Sequence, residues 1–330
     1  MAAISCGKIK DVHNTLNDIE TFINERPDSA LTILDSFDTS FLDHKSIWAH
    51  HSLLHAQAKD KCYIDETNDS LMTQVVNYYE GKRDKEKLFK VYYYLGRIQY
   101  NAGDYATSML SYTKAEQLID EIDDDFIKGL LYAQLGMLHQ KYYDYPRSLE
   151  YYSTAGTYYE SAGAISHKYF SQLNIGQLYL EIKDYLPSEE ILSDLITWAY
   201  NNQQYILCEY AINLLITLYD ETDQKDKSIT LLTSEFAHIC KGSLPIIHVR
   251  AYNQARQKDL SSMNLISDAE RLLQNTSDTI SHYYYKYRIL KEFGRYEEAL
   301  INHERMIHLQ DSITISALQQ PMLTAKNSYL

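Results

Sequence analysis

Tyr92, Leu95 and Gln99 stand three and four residues apart, and Ser108, Tyr112 and Ala115 repeat that spacing further along the chain. Side chains so spaced share one face of a helix, whereas strand positions alternate between faces. The first triplet predicts a helix A and the second a helix B, with small residues (Gly96, Ser108, Ala115) where the partner helix must come close. The stripe returns as Ser148, Tyr152 and Ala155. Only 11 Gly and 5 Pro occur in 330 residues, so few breakers interrupt the periodic segments.

A fixed period of roughly 20 to 50 residues marks an array of stacked supersecondary units. Leu95-Gly96, Leu135-Gly136 and Ile175-Gly176 recur forty residues apart, and Leu215-Ile216 continues the series without the glycine. Asp104-Tyr105, Asp144-Tyr145 and Asp184-Tyr185 keep the same step, as do Ser108, Ser148, Ser188 and Ser228. The aspartates fall where helix B needs an N-cap, and Pro146 and Pro187 fall in first turns, which tolerate proline. The pattern weakens between Leu244 and Gln274, then returns as Tyr283 to Leu290, Gly294-Arg295-Tyr296 and Ala299. Upstream, Ser46 to Ala58 with Asp69 to Tyr79, and Asn14 to Ile23 with Pro27 to Phe37, predict two further hairpins.

An aromatic residue, Leu-Gly, Gly103-Asp104-Tyr105, a small residue, Tyr112 and Ala115, in that order, resemble the tetratricopeptide repeat signature. The departures are Ser for the usual Ala in helix B, no closing Pro, and a longer step than the family's roughly 34 residues. The resemblance implies an all-α, right-handed α-solenoid of antiparallel helical hairpins, about seven in number. Residues 1–10 are expected to hold the remnant of a lipoprotein signal and tether, and 11–82 divergent N-terminal hairpins. Regular repeats are expected over 83–240, degenerate then regular repeats over 241–312, and a C-terminal helix or tail over 313–330.

Pro27-Asp28-Ser29-Ala30, Ala58-Lys59-Asp60-Lys61 and Asn68-Asp69-Ser70-Leu71 before Tyr78-Tyr79 resemble bacterial cell-envelope tetratricopeptide proteins of the lipoprotein type. That resemblance implies a lipoprotein signal at the start and, in some members, a membrane helix and signalling segment after the repeats. Ala3-Ile4-Ser5-Cys6-Gly7 is similar to the end of a lipobox, which makes Cys6 the lipidation candidate and a periplasm-facing envelope lipoprotein the expected form. The charged and apolar stretches that precede such a box are missing, and a cytoplasmic protein with a chance cysteine is the other reading.

Composition narrows the function classes. A formal charge of −14 repels phosphate backbones, so nucleic acid is not an expected partner. No run approaches the roughly 20 apolar residues that cross a bilayer, which leaves the possible anchor at Cys6 as the only expected membrane contact. Cys6, Cys62, Cys208 and Cys240 are too scattered for a disulfide framework or a zinc ribbon. The 31 Tyr against 8 Phe and 2 Trp suit half-exposed helix faces, because a phenol joins apolar bulk to a polar tip.

Candidate chemistry is sparse. His51 and His55 have the i, i+4 spacing of zinc-binding helices, with His44, His50 and Cys62 near in sequence, but residue 52 is Ser where a metalloprotease needs Glu. Solvated or half-packed histidines are the better account. Asp120, Glu121, Asp123, Asp124 and Asp125 lack the glycine and closing Glu of a calcium loop, and read instead as a helix cap with first-turn carboxylates. Ser111-Tyr112-Thr113-Lys114 matches SxxK without its partner motifs. No catalytic residue, metal or cofactor is expected.

Stacked repeats present an extended groove for a peptide or protein segment. The tetratricopeptide resemblance maps its concave face to Tyr93, Arg97, Tyr100, Ala133, Met137, Gln140, Leu173, Gln177, Tyr284 and Arg288. A non-enzymatic protein- or peptide-binding scaffold is therefore the expected function. The alternative is the ligand-sensing repeat domain of an envelope signalling or transcription-regulating protein, with its effector on a segment not in this chain.

Overall fold

A three-residue turn follows each helix through the middle of the chain, and its second residue is left-handed. These positions are Tyr143 (φ 59°), Gly163 (69°), Lys183 (63°), Gln203 (58°) and Asp223 (56°). After each, the next amide reaches back across the helix end: Asp144 N–H to His139 O (3.0 Å), Asp184 N–H to Tyr179 O (2.9 Å), Gln204 N–H to Ala199 O (2.8 Å). This is the Schellman closure, which satisfies carbonyls that the helix end leaves free. Only one of the five positions is glycine, although a left-handed L-residue costs roughly 1–2 kcal/mol. Packing on either side of the turn therefore imposes the conformation.

The computed structural model describes residues 2–236 and 242–318, with side chains over 9–236 and 242–315. The described residues form two compact units that divide within α7, at Leu138 and His139. The first contains α1 (Ala2–Phe22), α2 (Pro27–Asp35), α3 (Lys45–Lys61), α4 (Ser70–Glu80), α5 (Lys85–Asn101), α6 (Tyr105–Glu116) and most of α7 (Asp125–Lys141). In it α1 packs on α3 and α3 on α5, while α2, α4 and α6 pack beside them. Leu16, Ile19, Ile23, Leu34, Ile47 and Leu54 form its N-terminal core.

The second unit contains α8 (Tyr145–Ser161), α9 (Ile165–Glu181), α10 (Tyr185–Asn201), α11 (Tyr205–Glu221), α12 (Lys225–Thr233), α13 (Leu244–Arg256), α14 (Ser261–Ala269), α15 (Thr276–Glu292) and α16 (Tyr296–Leu318). Here α9, α11, α13 and α15 pack in succession. One core runs through them, from Leu173 through Leu192, Leu195, Ile212 and Ile216 to Val249 and Ile289.

The protein is all-α among the described residues, a solenoid of helical hairpins as expected. Sixteen α-helices lie among the described residues, in keeping with about seven hairpins. The weak stretch after Leu244, where degenerate repeats are expected, folds as α13 and α14. Cys240 and residues 319–330 of the expected tail lie outside the described residues, as does the side chain of Cys6, whose backbone belongs to α1.

The recurring glycines and serines are two halves of one contact. Ser108 Oγ donates to Gly96 O (2.8 Å), and Ser188 Oγ to Gly176 O (2.8 Å), twelve residues back in each case. A Cβ on Gly96 would stand 2.4 Å from Tyr112 Cε1, and one on Gly176 would stand 3.0 Å from Leu192 Cδ2. The glycine therefore lets helix B settle against helix A, and the serine ties the two. Where Ile216 replaces the glycine, the hydroxyl of Ser228 is buried without a partner.

The aspartate series behaves less uniformly than its spacing predicts. Asp104 accepts the Thr107 amide as an N-cap (3.2 Å). Asp144 and Asp184 occupy the same position without capping, and Asp144 instead meets His139 Nδ1 at 2.9 Å. Asp124, within the acidic run, caps α7 by accepting the amides of Phe126 (2.9 Å) and Ile127 (3.3 Å).

Gly96→Ala is expected to destabilise the first unit by about 1–3 kcal/mol, because Tyr112 is fully buried and cannot yield. Gly156→Ala in α8 meets only Ser171 Cβ at 3.8 Å and should be neutral or stabilising, by up to about 1 kcal/mol of helix propensity. Denaturant unfolding of both variants checks the contrast, and equal effects would refute the close-approach account.

Candidate functional site

The first helix of each pair carries the residues assigned to the partner-binding face, and the structure treats them unequally. Tyr93 is 2% exposed and Leu173 7% exposed. Both belong to the core, which corrects their assignment to an accessible face: each points into the seam with the neighbouring helix. Arg97 is half-buried, its Nε 2.7 Å from Asp60 Oδ1 and its NH1 3.2 Å from Gln134 Oε1. It ties α5 to α3 and α7 before any ligand is considered. Tyr100 is half-buried with its ring 5.1 Å from that of Tyr105. Ala133 and Met137 are half-buried on α7.

In the second unit Gln140 and Gln177 are brought together. Both donate to Glu181 Oε1, at 2.9 and 2.8 Å, and Gln140 also accepts from Tyr152. Burial raises the Glu181 carboxyl above its ordinary range against those bonds. Tyr284 and Arg288 stand one turn apart on α15, with the guanidinium 5.2 Å from the Tyr284 ring and 3.9 Å from that of Tyr252. Arg288 forms a nearly buried ion pair with Asp220 of α11. Desolvation pushes the Asp220 carboxyl up despite that partner.

Asp220 also borders a cavity of about 510 Å³. Its walls come from the turn before α10 (Lys183) and the start of α10 (Tyr185), from α11 (Thr217, Glu221), and from α13, α15 and α16. Burial raises the Glu221 carboxyl, which is held by the Tyr185 hydroxyl at 3.4 Å. Tyrosine rings, hydroxyls and carboxylates thus converge on one hollow.

Thr217 and Asp220 were not among the expected site residues, yet the forty-residue step that links Arg97, Met137 and Gln177 leads next to Thr217. Likewise Tyr100 and Gln140 lead, through residue 180, to Asp220. The periodicity held the signal, and the expected series reached Leu215-Ile216 without extending to the binding-face positions beside it.

One wall rests on a buried histidine pair. His248 of α13 and His282 of α15 meet Nε2 to Nδ1 at 3.3 Å, and Tyr285 stacks on His248 with centroids 5.0 Å apart. His282 Nε2 lies 3.4 Å from Glu270 Oε1 without hydrogen-bond alignment, and Lys286 pairs with that same carboxylate. Desolvation, aided by its partner's charge, lowers the His248 pKa from 6.5 to about 3. His282 is lowered for the same leading reason.

The zinc-like histidines serve packing. His55 Nε2 meets Asp35 at 2.8 Å, His51 Nε2 meets the Leu34 carbonyl at 3.0 Å, and His50 meets Glu20 at 3.1 Å. Among the described residues no three His, Cys, Asp or Glu side chains are grouped to hold a metal. Ser111 of the SxxK match donates to Gln99 (2.7 Å), and Lys114 pairs with Glu80.

No protein family matches the chain as a sequence, and no curated protein matches it. Solved structures match its fold. The apo form of RapI aligns with a TM-score of 0.66 at 14% identity, over 96% of this chain and 98% of that one. Aspartyl phosphate phosphatase F from Bacillus subtilis aligns with a TM-score of 0.56 at 13% identity, over 96% and 92%. BtubC from P. vanneervenii aligns with a TM-score of 0.50 at 14% identity, over 70% and 89%. At these identities the likeness establishes the helical-repeat fold alone.

The histidine pair makes stability depend on pH. Below pH 6.5 the unfolded chain binds protons that folded His248 refuses, so the stabilisation is complete above 6.5 and drains away as pH falls toward about 3. Between pH 6.5 and 5 one such histidine costs about 2 kcal/mol. His248→Gln keeps a donor near Nε2 and should flatten this slope in denaturant unfolding at pH 7 and pH 5. A slope equal to the parent's would remove His248 from the account.

Proposed function

We propose that the protein is a non-enzymatic scaffold that holds a peptide or protein segment against the face built by α11, α13 and α15. The observation that carries this reading is the cavity of about 510 Å³ on that face. Its size falls within the roughly 300–1,000 Å³ of ligand pockets, and its lining sets carboxylates, hydroxyls and tyrosine rings beside Leu244, Pro245, Ile280 and Met306, a mixture suited to orienting an occupant. Asp220 is committed to Arg288, and Glu221 is bonded to Tyr185, so these two carboxylates serve as fixed recognition points. Tyr185 and Tyr284 supply area with hydrogen-bonding edges, the combination enriched in binding hot spots. Of the residues assigned by resemblance, Tyr284 lines this cavity and Arg288 braces it. The shared fold with RapI is compatible with a binding role and does not name a ligand.

The proposal extends to place: an envelope-facing protein anchored through Cys6. Its support is the Ala3-Ile4-Ser5-Cys6-Gly7 pattern alone.

Two outcomes are expected. In a peptide-array screen with the full chain, Thr217→Arg and Ser281→Arg, both at the cavity wall, should weaken capture at least about tenfold, or 1.4 kcal/mol, while unfolding midpoints stay near the parent's. Undiminished capture by both would refute the face. Expressed from its native reading frame, the protein should partition into the detergent phase, and Cys6→Ser should move it to the aqueous phase. Aqueous partition of both forms would end the anchoring proposal.

A further inference from the structure

The helix pairing leaves a second opening on the other side of α11. α11 packs on both α10 and α12, but α12 is nine residues long where α10 has seventeen. The chain leaves helical geometry at Ser234 (φ −68°, ψ 163°). A wedge of about 420 Å³ stays open between α10 and α12, with Ile196, Leu215, Leu231 and Phe236 as its apolar lining. It shares no lining residue with the cavity over α13 and α15.

Ser193 and Lys227 of this wedge also border an open shelf with Leu186, Glu189, Glu190 and Asp194. Glu189 is occupied, accepting from Lys227 Nζ (2.6 Å) and from the Tyr219 hydroxyl (3.0 Å). Lys227 is thereby neutralised. Glu190 and Asp194 on the shelf, and Asp226 at the wedge, are exposed and form no ion pair among the described residues. An apolar hollow is thus rimmed by three uncompensated negative charges.

We propose that this wedge is an interaction surface for a partner segment that inserts one large apolar side chain and flanks it with Lys or Arg. The apolar lining rewards removal of a Leu, Met or Trp side chain from water, and the rim charges select its neighbours. A second copy of this chain docked through the same surface would set like charges face to face, in a protein whose formal charge is −14. Nucleic acid and anionic lipid meet the same repulsion.

Two labelled helical peptides of equal length test this on the full chain by fluorescence anisotropy. Each carries a central Trp, flanked by Lys in one and by Glu in the other. The basic peptide should bind at least about tenfold more tightly, with affinity falling as salt rises. Thr197→Trp, at the wall of the wedge, should abolish binding. The surface double variant Glu190→Lys with Asp194→Lys should reverse the preference, and Thr217→Arg on the other cavity should change nothing. Equal binding of both peptides, binding of neither, or indifference to Thr197→Trp would overturn the proposal. So would a dimer that Thr197→Trp dissolves, which assigns the wedge to a second copy, or an apolar dye that fills it while both peptides fail.

Discussion

One left-handed residue at the end of each helix from α7 to α11 sets the geometry of the middle of this protein. It closes the helix after seventeen residues and restarts the next one three residues later, so α7 to α11 begin at residues 125, 145, 165, 185 and 205. Because helix and turn lengths do not vary from α7 to α11, a side chain there faces the same way as its counterpart forty residues on. The glycine, the serine and the binding-face residues all inherit their register from that step. Four of the five turns hold a side chain in a backbone region that only glycine enters freely, so neighbouring contacts must outweigh the local strain.

Within that frame, α11 is the point of change. Before it, glycine on the first helix and serine on the second allow close approach, as at Gly96 with Ser108 and Gly176 with Ser188. At α11 the glycine becomes Ile216, the matching serine loses its acceptor, and the next three helices shorten to nine, thirteen and nine residues before α15 regains seventeen. Both cavities lie against this one helix. Thr217, Asp220 and Glu221 face one, and Leu215 and Tyr219 face the other. A repeat array that packs without error has little room to enclose anything, and here the space opens where the packing rule lapses.

The sequence revealed the fold because its strongest marks are backbone requirements. Gly96, Gly176 and Ser188 stand where they do for reasons of clearance and hydrogen bonding that recur at the forty-residue step, so their spacing reads directly as architecture. The binding face was less legible. Tyr93 and Leu173 share helical faces with the half-buried Arg97 and Gln177, and helical periodicity does not distinguish a face turned to solvent from one turned into the adjoining pair. Tyr93 is enclosed, whereas Tyr284, at a comparable position on α15, looks into open space because its neighbours α13 and α14 are short. The cavity over α11 was not legible for a related reason: Thr217 and Asp220 continue the numerical series, but the spacing does not show that the packing beside them opens into a hollow. Asp144 shows the limit of position-based reading, since it occupies a cap site and bonds a histidine instead.

The orphaned hydroxyl of Ser228 has a mechanical meaning. A stack of this kind is held by nearest neighbours only, so its layers need not be equally firm. A hydroxyl stripped of water and given no acceptor withdraws about 1–3 kcal/mol from the joint between α11 and α12. That joint is held less firmly than the one where Ser188 bonds Gly176, and it borders the apolar wedge.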